Sequence, residues 1–395
     1  MMTEPPRGFP TEEFAGRLAR ARVLMAAAGL DGLLLTTEPE FRYFSGFLTQ
    51  FWQSPTRPWF LLLPADEGAP VAIIPSIGED AMRRGWIEDI RCWSSPNPAD
   101  EGLSLLADAI RDRMGPVARI GLPSGPETHL RLPLDDLDRL KRALPGVSWT
   151  GDADIIRQLR MVKSEAEIAK TAHICDLVSD VFERLPTLIR PGMSEREIFR
   201  RFKIACLRAG ADDVPYLVGG SGIGGVGDII SPPGERRVGA GDVLMLDTGA
   251  VFDGYYCDFD RNYSFGSPDD AVRNAYRIAH DATAAGFDAA RPGAQARDVF
   301  HAMNSLISKA LGDEDGAGGG VGRMGHGLGM QLTEWPSNAA WDETEIAPGM
   351  ILTLEPGLTI APGRVMVHEE NIVIRADGPR YLTRRAPPEI PVVAA

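Results

Sequence analysis

The sequence predicts two domains, a smaller α/β domain over residues 1–155 and an α+β domain over residues 156–395, on three observations. The chain has 395 residues, more than one core usually organises at roughly 100–200 residues per domain. Short apolar runs alternate with helical stretches in the first half, whereas the second half groups its helices and strands in runs. Between them, Pro145–Gly146 closes one pattern and a new helical one opens at Ile156.

In the first half, Glu12 to Leu30 repeats apolar residues at helical spacing and stops at Gly29 and Asp31–Gly32. The runs Gly32–Thr36, Trp59–Pro64 and Pro70–Pro75 are short, apolar and bounded by Pro, Gly and Asp, as buried strands are. Helical segments around Glu79–Trp86 and Asp100–Met114 alternate with them. No Gly-x-Gly-x-x-Gly follows the first strand and no Gly-Lys-Ser/Thr loop occurs, so nothing here points to a nucleotide.

In the second half, Ser164 with Glu167 forms a capping-box signal for a helix to about Leu185, and Ser194 with Glu197 introduces another over roughly Glu195–Ala209. Val218–Gly234 is glycine-rich and is expected as loop or bent strand, because Gly costs about 1 kcal/mol in a helix interior. Helices at Asp269–Ala290 and Ala296–Leu311 interrupt the strand-rich remainder. The proline-rich end, APPEIPVVAA, is expected as a surface tail.

Charge and composition narrow the function classes. Lys plus Arg number 41 against 55 Asp plus Glu, a net charge of -14 that repels phosphate backbones and anionic lipid surfaces. Neither nucleic acid nor membrane is therefore an expected partner. No apolar run reaches the roughly 18 residues of a bilayer span, and the acidic N-terminus lacks a signal-peptide core, so a cytoplasmic location is expected. The cysteines Cys92, Cys175, Cys206 and Cys257 are scattered singly and are expected as small buried apolar residues rather than a disulfide or zinc framework.

The chemistry concentrates in acidic residues embedded in apolar strands. In VLMLDTGAVFDGYYCDFDRNYSFG, two strand-like runs flank Asp253–Gly254, a strong two-residue hairpin signal. That turn puts Asp258 opposite Gly249, with Asp247 two residues further along the same face, and like charges so placed call for a cation. Spacing alone leaves Asp253 and Asp260 as competing members. MGHGLG holds His326 between glycines, which lets backbone approach whatever the imidazole binds. LTLEPG puts Glu355 at the end of an apolar strand, and VMVHEENIVI embeds Glu369 and Glu370, of which alternation admits only one to the same cluster.

This ordered set resembles the pita-bread metallopeptidases, the M24 family of methionine aminopeptidase, Xaa-Pro aminopeptidase, prolidase and creatinase. Their signature of Asp in D-x-G, Asp in D-x-x-R, His in GHG, Glu in EPG and a final Glu in an acidic pair corresponds here to Asp247, Asp258 with Arg261, His326, Glu355 and Glu369. QLRMVKSEAEIAKTAH at the domain start is similar as well, and more loosely so is the creatinase-type N-terminal half. The resemblance implies a creatinase-like N-terminal domain, a C-terminal pita-bread domain and a homodimer. It also implies two divalent ions, Mn²⁺, Fe²⁺, Co²⁺ or Zn²⁺, with Asp258 and Glu369 bridging, Asp247 on one ion, and His326 and Glu355 on the other. Glu355 is the implied catalytic proton acceptor, and the implied activity is metal-dependent hydrolysis of an amide C–N bond in an Xaa-Pro dipeptide or a small carboxylated amide.

The sequence also departs from the family. Where such peptidases carry substrate histidines, this chain has Ile230 or a neighbour, Gly322 and Thr333, and Val367 replaces a frequent arginine. The departures keep open a non-peptide enzyme on the same scaffold, similar to the dimethylsulfoniopropionate lyases or to creatinase, although the lyase's extra aspartate is Gly249 here. A binding protein that has lost turnover is the third reading. Further candidate substrate contacts are Trp52, Arg57 and Trp59 in FWQSPTRPW, which would cover a partner subunit's site, together with Tyr216, Thr333, Trp335 and His368.

Overall fold

The structure, a computed structural model, describes residues 3–54, 57–312 and 322–394. It separates into two compact units that divide between Arg160 and Met161. In the first, strands β1 (Gly32–Leu35), β2 (Phe60–Pro64), β3 (Val71–Pro75), β4 (Asp89–Trp93), β5 (Ala118–Leu122) and β6 (Val147–Gly151) form one mixed sheet in the order β4-β3-β2-β1-β5-β6. Helices α1 (Thr11–Ala28), α2 (Glu38–Ser45), α3 (Glu79–Met82), α4 (Leu103–Met114), α5 (Leu134–Ala143) and α6 (Ile155–Met161) complete the unit. β1, β2 and β3 are buried along their whole length, which is why they lack polar alternation in sequence. β4 and β6 escaped sequence reasoning because Asp89, Arg91, Ser148 and Thr150 break the apolar runs on these two edge strands.

The second unit opens with α7 (Glu165–Leu188) and α8 (Glu195–Ala209). At Ser164 the capping box is complete, with the Ser164 hydroxyl accepting from the Glu167 amide and the Glu167 carboxylate accepting from the Ser164 amide. Strands β7 (Asp213–Ile223), β8 (Asp242–Phe252), β9 (Tyr255–Tyr256) and β10 (Phe259–Phe265) follow, then α9 (Asp270–Ala289) and α10 (Ala296–Leu311). The remaining strands are β11 (His326–Gly327), β12 (Glu334–Ser337), β13 (Ile351–Leu354), β14 (Gly357–Ala361), β15 (Arg364–Val367), β16 (Glu370–Arg375), β17 (Gly378–Tyr381) and β18 (Val392–Val393). They build one sheet in the order β18-β10-β8-β7 with β9 on β8, another in the order β12-β11-β13-β16-β17, and the β14–β15 ribbon.

Each main sheet carries its own helix pair. Phe182 and Val178 of α7 with Phe199 and Phe202 of α8 pack on Leu244, Leu246 and Phe259, whereas Ala279 of α9 and Met303 of α10 pack on Leu352, Leu354 and Ile372. The acidic strands thus have one face buried by helices and the other left for the site. One expectation is corrected: the C-terminal segment is no surface tail. Val392–Val393 pair in parallel with β10, and Ile390 and Val393 are buried in the two cores. Its prolines suggested loop, but the Val392–Val393 pair that follows Pro391 supplies the edge strand. Among the described residues, no helix is long and apolar enough to cross a membrane.

Candidate metal centre

The β8–β9–β10 hairpin turns at Asp253 and Gly254, both at positive φ of 46° and 77°, the conformation that the Asp-Gly pair favours. Its register follows from that turn. Val251 faces Tyr256, Phe259 faces Thr248 and Asp260 faces Asp247. Asp253, one of the competing carboxylates, is engaged at 2.5 Å by Lys170 of α7.

The other sheet brings the remaining residues. β11 is only two residues long because backbone crowds it on both sides. A Cβ at Gly325, whose φ is +118°, would lie 2.2 Å from the Thr353 carbonyl oxygen, and one at Gly327 equally close to that of Trp335. The glycines of GHG are therefore what let His326 sit between β12 and β13. The His326 amide donates to Thr353 Oγ1, and Nδ1 lies 2.9 Å from the Gly327 carbonyl oxygen, which assigns the ring proton to Nδ1. Nε2 is left facing Asp258 Oδ2 at 3.5 Å.

Donor atoms of Asp258, His326 and Glu369 all lie within 4.8 Å of one another, and all three residues are buried. Burial pushes the carboxyls of Asp247, Asp258, Glu355 and Glu369 up, and mutual repulsion adds to it: Glu355 acts on Asp247, Asp247 and Glu355 on Asp258, and Asp258 on Glu369. Burial and the nearby Arg323 cation lower His326 to about 4, so its imidazole is neutral and able to ligate. Among the described residues, Asp247 Oδ1 and Glu369 Oε1 are buried with no hydrogen-bond partner. Buried anionic oxygens without donors are costly unless a cation joins them, and oxygen-rich carboxylates with one imidazole suit a divalent ion. The donor set fits a metal.

The surrounding residues hold this geometry. Asn371 of β16 accepts from the Asp258 amide at 2.9 Å and donates back to the Asp258 carbonyl oxygen, locking the two sheets together at Asp258. Arg261 donates to the carbonyl oxygens of Asp260 at 2.7 Å and Glu369 at 2.9 Å and to the Glu370 carboxylate at 3.0 Å. Glu370 also accepts from Thr383 and the Ala386 amide, so it is consumed behind the sheet while Glu369 points forward. Sequence reasoning missed Asn371, Lys163 and Arg323. Lys163, in the MVKSEAEI segment, pairs at 2.9 Å with Glu334 of EWP, both buried, and so pins the chain shortly after His326.

The remaining candidates divide. Tyr216 of β7 belongs to the cluster: its hydroxyl hydrogen-bonds Asp247, and burial plus Asp247 push its own ionisation up. His368 does not, because its ring turns to α9, with Nδ1 3.0 Å from Thr283 Oγ1 and the His280 ring 5.4 Å away. Glu369, the next residue, offers its carboxylate to the cluster instead. Thr333 lies half-buried in the bend before β12. Trp335 donates to Thr344 Oγ1 at 3.2 Å and packs against Trp341. In the N-terminal unit, Trp52 and Trp59 join an aromatic cluster with Phe41, Arg57 donates to Ser95 Oγ at 2.9 Å, and Arg131 donates to the carbonyl oxygens of Trp52, Ser54 and Arg57. Pro55 and Thr56 of that loop lie outside the described residues.

A stability consequence follows from the raised carboxyls. Asp247 moves from 3.8 to about 8 and Glu355 from 4.5 to about 7, so between roughly pH 4 and 8 the metal-free fold binds more protons than the unfolded chain. Stability of the metal-free protein must then fall as pH rises through that window. Chelator-treated protein is expected to lose melting temperature steadily from pH 5 to 8, and Mn²⁺ to restore most of it at pH 8. A flat profile without metal would contradict the assignment.

Known proteins share both halves of this architecture. The model of the creatinase/prolidase N-terminal domain matches residues 17–162, and that of metallopeptidase family M24 matches residues 169–376. A probable dipeptidase, PepE of Mycobacterium bovis, is 31% identical over 392 residues, covering 98% of each chain. The crystal structure of dipeptidase PepE from Mycobacterium ulcerans superposes with a TM-score of 0.84 at 30% identity, over 98% of this chain and 100% of that one. A recombinant prolidase from Thermococcus sibiricus shares the fold, with a TM-score of 0.85 at 24% identity over 96% and 99%. The catalytic half has the pita-bread fold, and with its buried carboxylate and histidine cluster the chain is an enzyme of metallopeptidase family M24.

Proposed function

We propose that this metallopeptidase is a dipeptidase, with Xaa-Pro dipeptides as its substrate class. The observation that carries the reading is the convergence of Asp258, His326 and Glu369 donor atoms within 4.8 Å, with orphaned carboxylate oxygens beside them. Asp247, Asp258, His326, Glu355 and Glu369 would hold two divalent ions, which when bound supply an acidified water and a polarised carbonyl. Glu355, pushed up to about 7 by burial, takes the proton of the attacking water and passes it to the departing amide nitrogen. Tyr216 holds Asp247 in place through its hydroxyl. Arg323 lies close enough to influence Asp258, Glu355 and His326, and its guanidinium suits the free carboxylate of a short peptide. The relatives named as dipeptidase and prolidase support the same substrate class.

A non-peptide amide or lyase substrate is the second reading, favoured by the histidines. Besides His326 and His368, His129 is exposed in the N-terminal unit, His173 packs on Phe252, His280 faces Arg385 and His301 abuts Phe300. Ile230 and Gly322, at the positions of the family's substrate histidines, are exposed, and Val367 is buried against Val226 and Met245. Against a lyase-like site, a Cβ at Gly249 would come within 2.2 Å of Leu332 Cδ1, so the extra lyase aspartate would require the Leu332 side chain to move.

The test is to load the full-length protein separately with Mn²⁺, Fe²⁺, Co²⁺ or Zn²⁺ and offer Xaa-Pro dipeptides, dimethylsulfoniopropionate and creatine. Metal-dependent release of proline supports the dipeptidase reading. Cleavage of a non-peptide compound alone would replace it with the second, and a protein that takes up none of these metals and turns over none of these compounds would leave only a binding role.

A further inference from the structure

One buried carboxylate at the centre is not accounted for by the five ligands. Asp260 lies directly across the hairpin from Asp247, and two residues beyond Asp258, which immediately precedes β10. Opposed residues of an antiparallel pair hold their Cβ atoms about 4.5–5.5 Å apart, so the carboxyls of Asp260 and Asp247 are neighbours. Asp260 is 1 % exposed. Its Oδ2 accepts from Asn262 Nδ2 at 2.8 Å, and Asn262 is itself tied to the Val367 carbonyl oxygen, which fixes the orientation. Its Oδ1 is buried with no hydrogen-bond partner among the described residues, as is Oδ1 of Asp247. The Arg261 guanidinium reaches the Asp260 backbone carbonyl and the Glu370 carboxylate, so it does not satisfy this oxygen.

We propose that Asp260 is a further metal-ligating carboxylate, its Oδ1 sharing with Asp247 the ion on that side of the cluster. The inference rests on the metal reading of the site. An oxygen held in place by its sister atom, shielded from water and next to a second orphaned anionic oxygen is stabilised by a divalent ion more than by the Glu369 amide, the backbone donor beside the Asp260 carboxyl. Four ionised carboxylates balance two divalent ions. A fifth leaves surplus negative charge, which tightens retention of hard, oxygen-preferring ions such as Mn²⁺.

The experiment compares wild-type full-length protein with Asp260→Asn, both stripped with chelator, by titrating Mn²⁺ and following free Mn²⁺ by electron paramagnetic resonance. The amide keeps the size of the side chain and can still accept from Asn262, but its NH₂ cannot ligate. Affinity for at least one ion is expected to fall about 10–100-fold, and the visible spectrum of the Co²⁺-loaded protein to change. Unchanged Mn²⁺ binding and an unchanged Co²⁺ spectrum, even with a lower melting temperature, would mean that Asp260 merely supports the hairpin and would overturn the inference. Asp260→Ser, which vacates the position without added bulk, gives the same readouts should the asparagine variant misfold. Wild-type protein that binds none of these ions would sink the metal site itself, a failure distinguishable from one confined to Asp260.

Discussion

Replacing Glu355 by glutamine is expected to lower kcat about 10²–10⁴-fold while divalent metal is still taken up. The amide preserves side-chain volume and one coordinating oxygen, and removes the negative charge together with the ability to accept a proton. Glu355 follows β13 directly, and its amide donates to the Met324 carbonyl oxygen at 3.2 Å, so its backbone is fixed to the segment that presents His326. Burial raises the basicity of its carboxyl and the Arg323 charge partly opposes this, leaving a group suited to take a proton near neutral pH. A kcat loss with KM within a few-fold of wild type and metal content retained identifies a proton acceptor. Loss of metal together with activity would reduce Glu355 to a ligand, and activity within a few-fold of wild type would remove it from the chemistry altogether.

What the sequence disclosed is what local rules govern. The Asp253–Gly254 turn is legible because two consecutive positive φ values admit few residue pairs, and the turn then dictates the register that faces Asp260 with Asp247. Glu355 and Glu369 stand out because an acid embedded in apolar strand residues is costly without a partner. Other features depend on contacts distant along the chain. Asn371 bonds Asp258 across 113 residues, and Lys163 reaches Glu334 across 171. Asn371 lies in an ordinary strand sequence and Lys163 in a helix-start segment, and neither context announces a partner. Asp260 was legible only as a competitor for the cluster, since spacing cannot tell a solvated acid near a turn from a buried one. The N-terminal loop around Trp52 and Arg57 depends on such contacts too, since it is anchored by Arg131 from a segment distant along the chain.

Arg261→Met is expected to destabilise the protein by about 3–5 kcal/mol, the usual cost of stripping the partner from a buried ion pair. Arg261 and Glu370 are both buried, and the guanidinium joins four acceptors: the Glu370 carboxylate and the carbonyl oxygens of Asp260, Glu369 and Arg384. Methionine fills the space, packing as Arg261 does against Phe259, but leaves the Glu370 charge with only Thr383 and the Ala386 amide. Since the guanidinium also ties the Glu369 carbonyl to the Asp258 strand, metal affinity should fall along with the urea midpoint. Adding Glu370→Gln to Arg261→Met removes the stranded charge, so the double variant is expected to recover part of the loss, a coupling of about 0.5–3 kcal/mol in a double-mutant cycle. Strict additivity would show that the two side chains are not energetically paired. If stability fell while Mn²⁺ affinity stayed at the wild-type value, the D-x-x-R arginine would serve the fold alone, and Asn371 would be left to hold the two sheets together at the ligands.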